Sequence, residues 1–428
     1  MNMQKWLRVG IAGLVTLLAV QSNGAPPVGA YYGTARRNVM FGEKPISTVC
    51  GTFSLNTTAR GRITAKVVLR EQTLSFKAGG WEGTEGTPSV RMESRGGETL
   101  VLAPFLGVIE YMVGTLSGGS LGDEKMFIAA TYHAFADQTD AAAQAKLARL
   151  QGYYTVNLVP LGEKEVLPRG DADEKPRGHG YLTMTIGAKG KVKIAGVLPD
   201  GTKVSQASTL TTTPGVPFFR PLYRRRGEIG GLLEIDPDTR AVKSDLAKLV
   251  YWDKLGSGPD GFQARLGPVG GYFIKGAPLP KPINGLYAEG NDVAYHLPGG
   301  PVMPQPVMPQ VRVTQTGTRL VVEKGIKPVL SDDGTHYVYE GANSSLTTLR
   351  YSPLTGIFRG SFNQYYDYKS GGRLMHKVVK IPFAGVMFQT GIWAGHGVGH
   401  YLVPDTDPAF RALRIKRSFG IELFYYEY

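Results

Sequence analysis

His396 and His400, four residues apart with Asp405 and Asp407 close behind, are the sharpest metal-ligand candidates in the chain. On a helix, imidazoles at i and i+4 are neighbours and chelate one ion. Glycines at 395, 397 and 399 oppose that helix. On a strand the two rings share a face about 13 Å apart, too far for one ion. The segment therefore reads as a Gly-rich strand with exposed or half-buried histidines, and no metal or cofactor is expected. The acidic run Asp171-Ala172-Asp173-Glu174 offers oxygens to calcium but lacks the spaced ligands and turn glycine of such a loop, so it reads as a solvated loop.

The basic clusters suggest more. Arg220, Arg224, Arg225 and Arg226 surround Tyr223, and Arg411, Arg414, Lys416 and Arg417 precede Phe419. Guanidinium forks bind carboxylate, sulfate and phosphate bidentately, and aromatic faces stack on sugar rings, so the mix suits an anionic glycan. Ligand contact is expected from Arg220, Tyr223, Arg224, Arg225 and Arg226; a charged turn without a ligand is the plainer alternative. Neither a zinc-protease pattern, a nucleophile elbow nor a phosphate loop is present, and no catalytic residue is assigned.

The elements that must position these residues are β-strands. The 428 residues include 57 Gly and 28 Pro, with 42% hydrophobic and 19% charged residues, which excludes wholesale disorder. Long helical periods are nearly absent, which opposes a βαβ scaffold. Three segments open alike: Gly29-Ala30-Tyr31-Tyr32-Gly33, Gly152-Tyr153-Tyr154-Thr155 and Gly285-Leu286-Tyr287-Ala288. In the first two a second phrase recurs, Gly51-Thr52-Phe53-Ser54-Leu55 with Gly61 matching Gly180-Tyr181-Leu182-Thr183-Met184 with Gly190. A looser third copy is read at Leu349 and Tyr351 with Gly356-Ile357-Phe358-Arg359-Gly360. Ile63, Ala65 and Val67 alternate with polar residues, as do Val192 and Ile194, the period of half-buried strands. The expected fold is all-β: three tandem antiparallel modules, each a sandwich or small barrel, with one short helix at a module boundary.

The expected organisation is a signal peptide over 1–25, β modules over 26–139, 152–275 and 285–428, a boundary helix over 140–151 capped by Asp140, and a Pro-rich linker over 276–284. Lys5 and Arg8 before the apolar run Val9 to Val20, then Ser22, Gly24 and Ala25, give the leader pattern. Twelve apolar residues are too few to span a bilayer, so no transmembrane helix is expected. Without the leader the formal charge falls from +13 to +11, which in an exported chain points to an acidic polysaccharide or envelope surface rather than nucleic acid. Cys50 is alone and reads as a buried small hydrophobe. Trp81, Trp252 and Trp393, one per module, read as core.

The phrases Leu354-Thr355-Gly356-Ile357-Phe358-Arg359-Gly360-Ser361-Phe362 and Gly180 to Met184, with Tyr251-Trp252 and Pro259-Asp260-Gly261-Phe262, resemble repeats of large secreted bacterial envelope proteins. That resemblance implies an exported all-β repeat protein and carries no catalytic residue. The sequence reading is an exported, non-catalytic binding or structural protein that is secreted, periplasmic or at the cell surface. Its alternatives are an envelope-polymer hydrolase and an outer-membrane β-barrel, the latter suggested by the aromatic C-terminal strand.

Overall fold

A computed structural model describes residues 26, 28–83, 88–105, 108–160, 166–168, 176–243, 249–256, 261–307, 309–411 and 414–425. The leader, the acidic run Asp171 to Glu174, and Pro259 and Asp260 lie outside the described residues. The chain is all-β, with three antiparallel sheets of 8, 10 and 8 strands following one another along the sequence.

All three sheets share one topology. The opening strand lies inside its sheet, flanked by the next strand of the meander and by the last strand of the module. In the first module Gly29–Phe41 pairs with Lys44–Thr57 and with Met126–Tyr132. In the second Gly152–Pro160 pairs with Gly180–Ile186 and Phe262–Tyr272. In the third Gly285–Ala288 pairs with Gln310–Thr316 and with the C-terminal strand Lys416–Phe424. Each meander thus curls back on itself as a small barrel left open at one seam. In the second module side chains bridge that seam: Ser208 Oγ and Gln206 Nε2 donate to the Pro217 carbonyl at 2.6 and 3.1 Å.

The repeated opening glycine now has a cause. A Cβ on Gly29 would lie 2.9 Å from the Tyr132 ring, one on Gly152 2.3 Å from Tyr272, and one on Gly285 2.2 Å from Phe424. In each module an aromatic of the last strand lies over the glycine of the first, so only a residue without a side chain lets the ring settle across the closure.

Strand periodicity sorts the side chains as expected. In Ile63–Leu69 the residues Ile63, Ala65, Val67 and Leu69 are buried while Lys66 is exposed, and in Lys191–Val197 the residues Val192 and Ile194 are buried between exposed lysines. Apolar residues face inward and polar residues outward, the reverse of a membrane-spanning barrel. No helix among the described residues is long and apolar enough to cross a membrane.

The short helix Ala141–Leu150 starts where Asp140 accepts a hydrogen bond from the Ala143 amide at 2.9 Å. Ala143, Leu147 and Leu150 pack into the second module's core with Phe135. The Pro-rich segment 276–284 is anchored, with Leu279 and Ile283 in the third core.

One reading of the repeats needs correction. Leu349, Tyr351 and Gly356 to Gly360 belong to the later hairpin of Thr348–Tyr351 and Ile357–Ser370. The counterpart of the Gly61 and Gly190 turns is Gly317, between Gln310–Thr316 and Arg319–Val322. All four glycines have φ between 60° and 80°. A tight hairpin asks for that conformation wherever it occurs, so the glycine signal marks a turn without saying which one.

Candidate functional site

The arginine cluster lies on the hairpin of Gly215–Leu222 and Gly227–Ile235, with Arg220 opposite Ile229 and a tight turn over Tyr223–Arg225. Tyr223, Arg224 and Arg225 have φ of 51°, 56° and 70°. Three consecutive left-handed non-glycine residues are costly and persist only when their surroundings hold them. Tyr223 supplies the hold. Its hydroxyl donates to Asp200 Oδ2 at 2.6 Å and accepts from Trp252 Nε1 at 3.0 Å. Burial, then the Asp200 charge, push the phenol well above its ordinary range. Gly227 leaves room for the ring, since a Cβ there would lie 2.6 Å from it. Tyr223 is therefore the anchor of the turn, with its hydroxyl directed inward.

Arg220, Arg224, Arg225 and Arg226 are all exposed. Arg225 Nη1 donates to the Glu71 carbonyl of the first module, so the turn reaches across the seam. Among the described residues, Arg220, Arg224 and Arg226 have no carboxylate partner. The other basic cluster differs, because Arg417 is committed to the buried Asp405 at 2.8 Å.

Beneath the turn a buried charge group ties the first two modules together. Arg37 Nη2 meets Glu228 Oε1 at 2.8 Å, while Arg70 lies 3.9 Å from both Glu228 and Asp253. Glu228 and Asp253 are fully or almost fully buried. Burial pushes the Glu228 carboxyl up although two arginines oppose the shift. Close backbone approach helps, since a Cβ on Gly230 would sit 2.3 Å from the Val49 carbonyl oxygen. A cleft of 360 Å³ opens along this seam, lined by Tyr32, Ser54, Lys66 and Val68 of the first module and Lys191 and Ser208 of the second. Lys191 Nζ sits 5.4 Å from the Tyr32 ring centroid. Val68 is three residues from Glu71, the Arg225 partner, so cleft and turn adjoin along one stretch of chain.

The second seam, between modules two and three, takes His400. That residue is buried rather than exposed or half-buried, and its Nδ1–H donates to the His179 carbonyl at 2.8 Å. The His179 ring lies 3.0 Å from Asn157 Nδ2, and burial, with the His400 ring, pushes it down to about 4. Ser418 Oγ donates to the Pro199 carbonyl, and Thr155 Oγ1 to that of Met387. His396 instead packs edge-on to Trp393, 6.1 Å between centroids. Among the described residues no group of three metal-ligating side chains is assembled.

Sequence reasoning missed Arg37, Arg70, Glu228 and Asp253. Arg37 and Glu228 are 191 residues apart in sequence, the group shares no local motif, and only the topology joins it. It also missed Asp367 and His376. His376 Nδ1 lies 2.6 Å from Asp367 Oδ1, Tyr339 donates to Asp367 Oδ2 at 2.7 Å, and the imidazole stacks on Tyr337 and Tyr365. The cluster clamps the segment carrying Tyr337 and Tyr339 onto the long hairpin. Trp252 is wholly buried and Trp81 and Trp393 half-buried, in keeping with core roles.

No family model matches the chain. No curated protein matches it. Among solved structures it is similar to intact Ap-TbpB with its N and C lobes, at 9% identity over 95% of this chain and 78% of that one, with a TM-score of 0.20. It is also similar to a single mutant of the vaccine antigen transferrin binding protein B from Haemophilus parasuis Hp5, at 10% identity over 95% and 79%, with a TM-score of 0.23.

Proposed function

We propose that the chain is an exported, non-catalytic binding protein of the cell envelope that holds an acidic polysaccharide on the arginine turn. The observation that carries this reading is the presentation of Arg220, Arg224 and Arg226. They are exposed and, among the described residues, lack carboxylate partners, on a hairpin whose left-handed turn Tyr223 pins to Asp200 and Trp252. A pinned backbone lowers the ordering cost of binding, and guanidinium forks match carboxylate or sulfate edges. The leader pattern and the formal +11 of the remaining chain support export and attraction to an acidic polymer.

The test is retention of the purified chain, lacking residues 1–25, on immobilised chondroitin sulfate, polygalacturonate and neutral dextran across a salt series. Retention on the two acidic polymers is expected to weaken steeply with salt, as exposed charges do. R220A/R224A/R226A is expected to weaken it at least about tenfold, the equivalent of 1.4 kcal/mol. Arg225 is left intact because it holds the first module. Equal retention on dextran, or retention unchanged in the triple variant, refutes the proposal.

A further inference from the structure

Three loops meet where the second module passes into the third. Gly276 donates its N–H to the Pro353 carbonyl at 2.8 Å. Gln389 holds both backbone groups of Ile274, accepting from its N–H at 2.6 Å and donating to its carbonyl at 3.2 Å. The same amide reaches the Ala277 carbonyl at 3.3 Å, and Thr390 Oγ1 donates to the carbonyl of Tyr272 at 2.9 Å. Segments 273–281, 352–356 and 388–396 are thereby tied into one platform. We propose that this platform is a membrane-contact element that sets Ile274, Leu354 and Ile392 into the interfacial layer of an anionic lipid surface.

The first reason is where the apolar side chains stand. Ile392 is 87% exposed, Leu354 63% and Ile274 54%, and Ile392 is the most exposed large hydrophobic among the described residues. Single exposed apolar residues are ordinary, but three on loops bonded to one another form a patch. Leu354 lies beside Gly276, where a Cβ would sit 4.0 Å from its Cδ2, two residues from Ile274. The loop over 388–396 is closed at its base by two backbone hydrogen bonds of 2.9 Å, from Phe388 to the His396 carbonyl and from Gly395 to that of Phe388. A loop so closed keeps Ile392 at its apex instead of letting it fold onto the core. Apolar tips carried on separate turns need no matching pocket in a fluid interfacial layer, where each inserts independently.

The second reason is charge. The three segments contain Lys275 and Lys281, both exposed, and no Asp or Glu. Lys275 Nζ lies 4.5 Å from the Tyr153 ring centroid and Lys281 Nζ 4.8 Å from that of Tyr425, and the half-buried Trp393 follows Ile392. Lysines beside tyrosine and tryptophan around apolar tips suit a headgroup layer, where the ammonium meets lipid phosphate and the ring spans the boundary of polar and apolar. An acidic polysaccharide would engage the lysines but leave all three tips in water. The platform is also independent of the arginine turn. It follows Tyr272, whereas the turn adjoins the other end of Phe262–Tyr272 through Gly227, Lys254 and Phe262. That strand has 11 residues, about 33 Å, so either surface can fail alone.

The experiment is co-sedimentation of the chain lacking residues 1–25 with vesicles of phosphatidylcholine alone and of phosphatidylcholine with phosphatidylglycerol in equal parts. Binding to the mixed vesicles is expected, weakened about tenfold or more in L354S/I392S and in K275Q/K281Q. The substituted residues are exposed, so both variants are expected to melt with the parent chain. Mixed vesicles brominated on their acyl chains are expected to quench tryptophan fluorescence, and Trp393→Phe to remove that quenching. The arginine-turn variant R220A/R224A/R226A is expected to bind and to be quenched. Equal binding to both kinds of vesicle, no binding to the mixed ones, full retention by L354S/I392S, or quenching that survives in Trp393→Phe overturns the proposal. Binding lost only in the arginine-turn variant overturns it as well, and assigns the vesicle contact to that turn.

Discussion

Acid is expected to loosen the seam between the second and third modules, through His179. Burial beside His400 lowers this imidazole from 6.5 to about 4. The unfolded chain therefore takes up a proton near pH 6.5 that the folded chain refuses until near pH 4. Stability is fully present above 6.5 and is lost as pH falls across that window. Integrating the two titrations between pH 7.5 and 5 gives about 2 kcal/mol from this residue alone. His133 and His400 are also lowered by burial and act in the same direction, so the intact chain loses more than this.

The contribution of His179 is isolated by H179Q, which cannot titrate and keeps the backbone carbonyl that His400 uses. At pH 7.5 the variant is less stable by whatever its packing costs. Between pH 7.5 and 5 the gap between parent and variant should narrow by about 2 kcal/mol. For a cooperative chain of this size that is about 2 °C in melting temperature. Calorimetric melts of both proteins at half-unit pH steps read the gap directly. Parallel pH curves would refute the argument, because they would mean that the ring is solvated and free to charge in the folded state.

The other expectations concern the first seam, the turn and the repeat. Glu228→Ala leaves the largely buried Arg37 with only its looser contact to Glu124 at 3.5 Å and should cost about 3 kcal/mol, read as a lower urea midpoint. Tyr223→Phe strands the Trp252 N–H and takes one donor from Asp200, which keeps those of Thr202, so about 1–3 kcal/mol should be lost, and retention on acidic polymer should weaken while every arginine remains. Gly152→Ala drives a Cβ to 2.3 Å from the Tyr272 ring, and a loss of about 1–3 kcal/mol is expected in thermal melts. Asp140→Ala removes the helix cap and should cost about 1 kcal/mol.

The period-two runs, the opening glycines and the Asp140 cap were legible because each is a local requirement, written within a few residues of where it acts. Alternation in Ile63–Leu69 states which face is buried without reference to anything distant. The third copy of the hairpin phrase was misplaced for the same reason: a turn glycine reports its own φ and nothing about strand order. Tyr223 was singled out for its neighbours in sequence, yet its role is set by Asp200 and Trp252. The charge group at the first seam and the His179 contact at the second unite residues of separate modules. Such encounters depend on how finished barrels pack, and no period or spacing in one strand encodes them.

The two seams use opposite chemistry, and that difference bears on what the molecule can do. The first is ionic, with the buried carboxylates of Glu228 and Asp253 sunk between Arg37 and Arg70. A buried ion pair contributes little net stability against an apolar substitute, but misalignment is strongly penalised because each charge then lies unpaired. Such a seam fixes relative orientation. The second is a neutral mesh of hydroxyl, imidazole and backbone contacts, in which Ser418 bonds to Pro199 and His400 to His179. It resists salt and yields to acid. A protein with the first two modules locked in register and the third attached through titratable groups can keep the geometry of its arginine-bearing surface while the attachment of its C-terminal module responds to pH.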